Sequence, residues 1–151
     1  MQFFEVLVHF LEIGVHDVVV RGLVIRILIG TGILRVRVDR DARLLEQLLS
    51  SGIGPETALG TLGGALELRW ECTGGFTTID LACMDGVSGV VTLYKYGAAP
   101  SYLKKNGAVT RLEGDALPAG LESARRDPQP QRLTLSSGHW LVMASDGVTG
   151  E

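Results

Sequence analysis

Cysteine and net charge are both scarce in this 151-residue chain, and each shortage removes a class of explanation. The two cysteines, Cys72 and Cys83, lie apart, with no Cys-x-x-Cys and no Cys/His pairing at ligand spacing. Neither a structural zinc site nor a disulfide framework is encoded, and a reducing, cytoplasmic compartment is the simpler reading. Lysine and arginine form no basic stripe, and the net charge is only -3, so nothing is arranged to neutralise the phosphates of a nucleic acid. No long apolar run is free of charge. Glu5, Glu12, Asp17, Arg21 and Arg26 interrupt the hydrophobic opening from Phe3 to Leu34 well before a bilayer could be spanned. A basic start followed by an apolar core and a small-residue cleavage site is missing too, so no secretory signal is read. A longer parent protein carrying a membrane anchor elsewhere is compatible with all of this.

What is present suits one globular domain or part of one: 46% hydrophobic and 21% charged residues exclude disorder and fibrous repeats. The first forty residues carry short β-branched runs, Val18–Val20, Leu23–Ile29 and Val36–Val38, punctuated by Gly14, Gly22, Gly30 and Gly32. They read as buried strands. The period then becomes that of a helix: Leu44, Leu45, Leu48 and Leu49 share a face after Asp41, and Gly52 is placed to end it. Pro55 opens a second helix, with Glu56 in its first turn and Leu59, Leu62 and Leu66 as its apolar stripe. Gly60, Gly63 and Gly64 weaken it by up to about 1 kcal/mol each relative to alanine, which predicts close packing against a neighbour such as a sheet face.

From Phe76 the period is two. Ile79, Leu81 and Cys83 fall on one face and Thr78, Asp80 and Ala82 on the other, Asp85–Gly89 reads as a turn, and Val90–Tyr96 returns. After a break at Gly97–Ser101, Tyr102–Lys104 and Val109–Leu112 flank Asn106-Gly107, the dipeptide of a tight hairpin whose central residues both need positive φ. Gly114–Gln131, with Pro118, Pro128 and Pro130, reads as an exposed connection. Leu133 and Leu135 resume an alternating strand, and the apolar run Trp140–Ala144 reads as a buried central strand ending at Ser145-Asp146-Gly147. Strands, two helices and then a series of antiparallel strands make the segregated pattern of an α+β sandwich. Connections after residue 76 are too short for the helices a parallel sheet requires.

Asp146 is the ionisable residue best placed for chemistry, a carboxylate at the end of an apolar strand beside a glycine. That setting suits a hard cation such as Mg²⁺ or Mn²⁺, although an isolated Asp-Gly pair more often begins a type I turn. Its context extends the reading. Phe76–Leu81, Gly97–Tyr102, Leu117–Gly120 and Met143–Val148 resemble, in order and spacing, the PPM-type phosphatases of the stage II sporulation protein E family. Arg43–Gly52 is similar to the helix that follows the first metal motif of that family. The resemblance covers roughly residues 30–151, with 1–29 matching poorly, and describes a single partial domain, incomplete at its C-terminus.

The resemblance implies a PPM-phosphatase-like α-β-β-α sandwich, two antiparallel sheets flanked by helices, with a pair of Mn²⁺ or Mg²⁺ ions between the sheets. It implies hydrolysis of phosphoserine or phosphothreonine in a protein by a metal-activated water, the substrate being an anti-sigma-factor antagonist of sporulation or stress regulation. Of the family's metal-site positions, Asp146 and the adjoining Gly147 carry over; no catalytic residue does. The family's first metal motif, Asp-Gly-Met-Gly, aligns with Ile27-Leu28-Ile29-Gly30-Thr31-Gly32, and isoleucine cannot bind a hard cation. The last metal aspartate of the family lies beyond Glu151. Poor or absent activity is therefore expected, and a degenerate, non-catalytic phosphatase-like binding module or a truncated gene product stands as the alternative. Sheet left uncovered by truncation would favour self-association.

The other candidates read as structural. His9, His16 and His139 have no ligand partner at suitable spacing, and Gly30-Thr31-Gly32 lacks the third glycine and the lysine of a phosphate loop. Lys104-Lys105 reads as a solvated hairpin tip. Asp80 reads as a solvated or hydrogen-bonded group within the sandwich, and the cysteines as packing residues.

Overall fold

Alternating and β-branched segments build two antiparallel sheets, and two leucine-striped segments build the helices that cover one of them. The computed structural model describes residues 15–20, 23–30, 35–73, 76–121 and 128–143. The element order is β1 (Val15–Val20), β2 (Leu23–Gly30), α1 (Arg35–Ser50), α2 (Pro55–Thr73), β3 (Thr78–Asp85), β4 (Val90–Tyr96), β5 (Ser101–Lys105), β6 (Ala108–Leu112), β7 (Gln131–Thr134) and β8 (Trp140–Val142). The larger sheet has the order β1-β2-β3-β4-β7 and the smaller the order β6-β5-β8. The pairings within both sheets are antiparallel. This is the α+β sandwich the alternation implies, with the period-two face assignment of β3 intact.

The two faces of β3 serve two cores. Ile79, Leu81 and Cys83, with Tyr94 and Tyr96 of β4, pack under Ala42, Leu45 and Leu49 of α1 and Ala58, Leu59, Leu62 and Leu66 of α2. Ala82 on the opposite face joins Val91, Leu93, Leu135, Leu141 and Met143, with Leu103 of β5 packed against them. That second core lies between the sheets. Burying one such aliphatic side chain is worth about 1.5–3 kcal/mol, so each core rests on a handful of leucine-sized groups.

Several expectations need correction. Val36–Val38 is not a strand: α1 begins at Arg35 and runs through it. Valine costs only about 0.5 kcal/mol more than alanine in a helix, arginine is a good helix former, and extending a nucleated helix is cheaper than starting a separate strand. The glycines of α2 are not packed against a sheet. Gly60 and Gly64 are exposed, and a Cβ at Gly60, Gly63 or Gly64 would meet nothing within 4 Å; the leucine stripe with Ala58 packs this helix on the sheet. The run at Trp140 is three residues of strand standing at the end of the described order, with Leu141 buried and Trp140 38% exposed. Ala144 lies outside the described residues.

The connection after β6 is also less exposed than its prolines suggest. Ala116, Ala119, Gly120 and Pro128 are buried, Ala116 bridges Tyr96, and Ala119 bridges Thr77. Gly97 permits this, because its φ of +55° suits glycine and a Cβ there would collide with the ring of Pro118. Asn106 and Gly107 have φ of 50° and 81°, as a primed hairpin turn requires.

Candidate functional site

Period two places Asp80 on the same face of β3 as Ala82, and Lys95 on the same face of β4 as Val91 and Leu93, both looking into the space between the sheets. The two residues are direct register partners. Lys95 Nζ donates to Asp80 Oδ2 at 2.5 Å and to Ser101 Oγ at 2.8 Å, and Ser101 Oγ donates to Asp80 Oδ2 at 3.1 Å. Lys95, Asp80 and Ser101 are 1%, 2% and 0% exposed. Asp80 and Lys95 belong to the larger sheet and Ser101 to the smaller, so this triangle is a polar bond across the sandwich. Burial pushes the Asp80 carboxyl upward, while the Lys95 ammonium and then the hydrogen bonds from Lys95 and Ser101 oppose that shift. Asp80 Oδ1 has no hydrogen-bond partner although it is buried, a departure from the general satisfaction of buried polar atoms.

The bond sits where two chain segments leave the sheets. Leu28 pairs with Asp80 and Gly30 with Thr78, so β2 exits at the Thr78 end of β3. Val142 pairs with Tyr102 and Trp140 with Lys104, so β8 exits at the Ser101 end of β5, toward Ser145-Asp146-Gly147. Asp146 and Gly147 themselves lie outside the described residues. Beside these exits Thr77 donates from its hydroxyl to Asp41 Oδ2 of α1 at 3.4 Å, and both are buried. The Thr77 and Ala119 backbones exchange hydrogen bonds of 2.9 and 2.8 Å, which fastens the 113–121 segment across the end of the larger sheet.

A second polar contact lies on the helix-covered face. Tyr94 donates its hydroxyl to Glu56 Oε1 at 2.5 Å. This bond lowers the Glu56 carboxyl, while burial first and the bond to Glu56 second raise the Tyr94 phenol. Burial, with a smaller contribution from Glu56, pushes the Cys83 thiol up to about 12. Cys83 is thus an inert packing residue, and the side chain of Cys72 lies outside the described residues. His139 Nδ1 accepts from the Ser136 N–H at 3.2 Å, the structural role its sequence context implies, and Lys104 and Lys105 are exposed. The side chains of His9 and His16 lie outside the described residues.

Comparison with known proteins identifies the architecture. The model of the family described as Stage II sporulation protein E (SpoIIE) matches residues 42–151. The chain belongs to the SpoIIE family. Stage II sporulation protein E of Bacillus subtilis (strain 168) is 31% identical over 110 residues, which is 73% of this chain and 13% of that protein. Its counterpart from Priestia megaterium is 32% identical over 107 residues, 70% of this chain and 18% of the relative. The chain thus spans less than a fifth of the curated SpoIIE relatives it matches. The solved PP2C phosphatase domain of SpoIIE from Bacillus subtilis, with a fragment of its regulatory domain, superimposes with a TM-score of 0.74 at 24% identity, over 91% of this chain and 45% of that one. A serine/threonine phosphatase of S. agalactiae superimposes with a TM-score of 0.72 at 14% identity, over 91% and 74%. These likenesses establish the fold as a partial PPM-type sandwich.

The PP2C-type phosphatases to which SpoIIE proteins belong are generally metal-dependent, and the described residues can be tested for a metal site. Among them no group of three or more His, Cys, Asp or Glu comes together in a way that could hold an ion. Ile27, Leu28 and Ile29 occupy β2 opposite Leu81, Asp80 and Ile79. Of the described carboxylates near that end, Asp80 is committed to Lys95 and Ser101 and Asp41 accepts from Thr77. The described residues therefore do not fit a two-ion site, and the family match begins after this segment, at Ala42. Among the described residues no helix is long and apolar enough to cross a membrane.

Proposed function

We propose that the chain is part of a serine/threonine protein phosphatase whose substrate is a phosphorylated regulatory protein of the anti-sigma-factor antagonist class. The observation that carries this reading is the match of residues 42–151 to the SpoIIE family, supported by a sandwich that superimposes on phosphatase domains over nine-tenths of its length. The chemistry proposed is hydrolysis of a phosphoserine or phosphothreonine ester, with Mn²⁺ or Mg²⁺ as cofactor and Asp146, beside Gly147, as this chain's metal-binding carboxylate. The described residues supply the frame: β8 delivers the strand end that precedes Asp146, and the triangle of Asp80, Lys95 and Ser101 ties that strand's neighbour to the helix-covered sheet. With the described donor set so poor, slow turnover is expected, because a hard cation is held by the number and geometry of its oxygen ligands.

The test is phosphate release with Mn²⁺ from a phosphoserine-bearing anti-sigma-factor antagonist, beside a phosphotyrosine peptide. Slow release from the phosphoserine protein alone supports the reading. Equal release from both substrates, or release unchanged in Asp146→Ala, contradicts it. A second reading is favoured by the apolar residues Ile27, Leu28 and Ile29 of β2, which the sequence resemblance sets against the family's first metal motif. On that reading the chain is a non-catalytic, phosphatase-like binding module. Tight binding of the phosphorylated antagonist with no release at all would select it.

A further inference from the structure

We infer that Asp80, Lys95 and Ser101 act together as a positioning clamp that fixes the smaller sheet against the larger one at the end where β2 and β8 leave the sandwich. This rests on the phosphatase reading only for what the clamp serves, namely alignment of the β8 strand end that leads to Asp146.

Three features separate a clamp from an ordinary stabilising contact. Asp80 and Lys95 are already neighbours in one sheet, so the link that crosses the sandwich is Ser101, through its hydroxyl alone. Around it the described buried residues between the sheets are otherwise apolar, and apolar contacts are non-directional, leaving sliding between the sheets weakly specified. The cluster also leaves Asp80 Oδ1 buried and unpartnered. A buried ion pair is often no more stabilising than well-packed apolar residues of similar volume, so a pair with an unsatisfied oxygen is a poor device for stability and a directional one for geometry. Gly114 completes the arrangement. A Cβ there would stand 2.5 Å from Cβ of Lys95, so the segment after β6 lies tightly over the lysine stem and limits its movement.

The test is hydrogen exchange of the full chain in metal-free buffer, comparing Ser101→Ala and Ser101→Thr with the parent. Ser101→Ala removes the crossing bonds and leaves the Asp80–Lys95 pair. Amides of β5 and β8 should then exchange about tenfold faster or more, while those of β3 and β4 change less than about threefold, because local opening is read separately from global unfolding. Ser101→Thr, which keeps a hydroxyl, should restore the parent pattern. Equal acceleration in both sheets would overturn the inference and leave the cluster a general stabiliser; no acceleration in either would overturn it as well. Should Ser101→Ala fail to fold, Ser101→Cys, close in size and weak in hydrogen bonding, carries the same comparison. No metal or substrate enters this measurement, so failure of the phosphatase reading leaves its outcome intact, and the reverse holds too.

Discussion

Replacing Lys95 with methionine removes a charge while keeping most of the stem, and its consequence follows from the burial of its partner. Asp80 is 2% exposed and Lys95 1%, so the variant leaves a carboxylate in the inter-sheet core with only the Ser101 hydroxyl to hold it. Breaking a buried pair in this way costs about 3–5 kcal/mol. A domain of this size is stable by roughly 5–15 kcal/mol, so the variant should fold but unfold early. In urea, with a dependence of about 2 kcal/mol per molar, the midpoint should fall by roughly 2 M. The loss must depend on pH in a definite direction. Burial already raises the Asp80 carboxyl above its ordinary value of 3.8, and removing the ammonium raises it further. A raised carboxyl contributes stability that is complete below the unfolded value and is lost as pH rises through the folded one. The deficit of Lys95→Met should therefore be full at neutral pH and close toward pH 3.8 and below. Asp80→Leu combined with Lys95→Met removes both charges and should recover to within about 1 kcal/mol of the parent. A single variant costing less than about 1 kcal/mol, or a double variant as unstable as the single, would refute the reasoning.

Other perturbations follow from the same geometry. Tyr94→Phe removes the bond to Glu56 and should cost about 1 kcal/mol at pH 7 by urea unfolding; because that bond lowers the Glu56 carboxyl, the cost should shrink as pH falls below 4.5. Cys83, its thiol pushed up to about 12, should resist alkylation at pH 8 until the chain unfolds, and its contribution to stability should be lost as pH rises from 9 toward 12. Early labelling in the native state would contradict that burial. Gly97→Ala combines a φ of +55° with a clash against Pro118 and should lower stability by about 1–3 kcal/mol, detectable as a lower thermal midpoint.

Much of the fold was legible because its signals are local. The Asn106-Gly107 hairpin, the leucine stripe of α2 and the alternation of β3 each depend on residues close in sequence, and each is found where the pattern places it. The misread segment depends on tertiary context: Val36–Val38 has strand propensity but is absorbed by the helix that follows. The clamp was half legible. Asp80 was assigned to the interior of the sandwich, but its partners were missed. A signal was available: period two puts Lys95 on the face of Val91 and Leu93, and a lysine in a buried register requires a carboxylate near it. Ser101 was out of reach, because its contact crosses between sheets, and no short-range pattern reports how two sheets align. Asp41 with Thr77 was missed for the same reason, since helix periodicity marks Asp41 only as preceding the leucines.

The central proposal is that Asp146 is a metal-binding carboxylate of a phosphatase domain. Calorimetric titration of the chain with Mn²⁺, beside Asp146→Ala and with turnover of p-nitrophenyl phosphate followed in parallel, measures that claim. Weak Mn²⁺ binding that disappears in Asp146→Ala, accompanied by slow turnover that disappears with it, is the predicted result. Absence of binding and turnover in the parent, or binding that survives in Asp146→Ala, would contradict it.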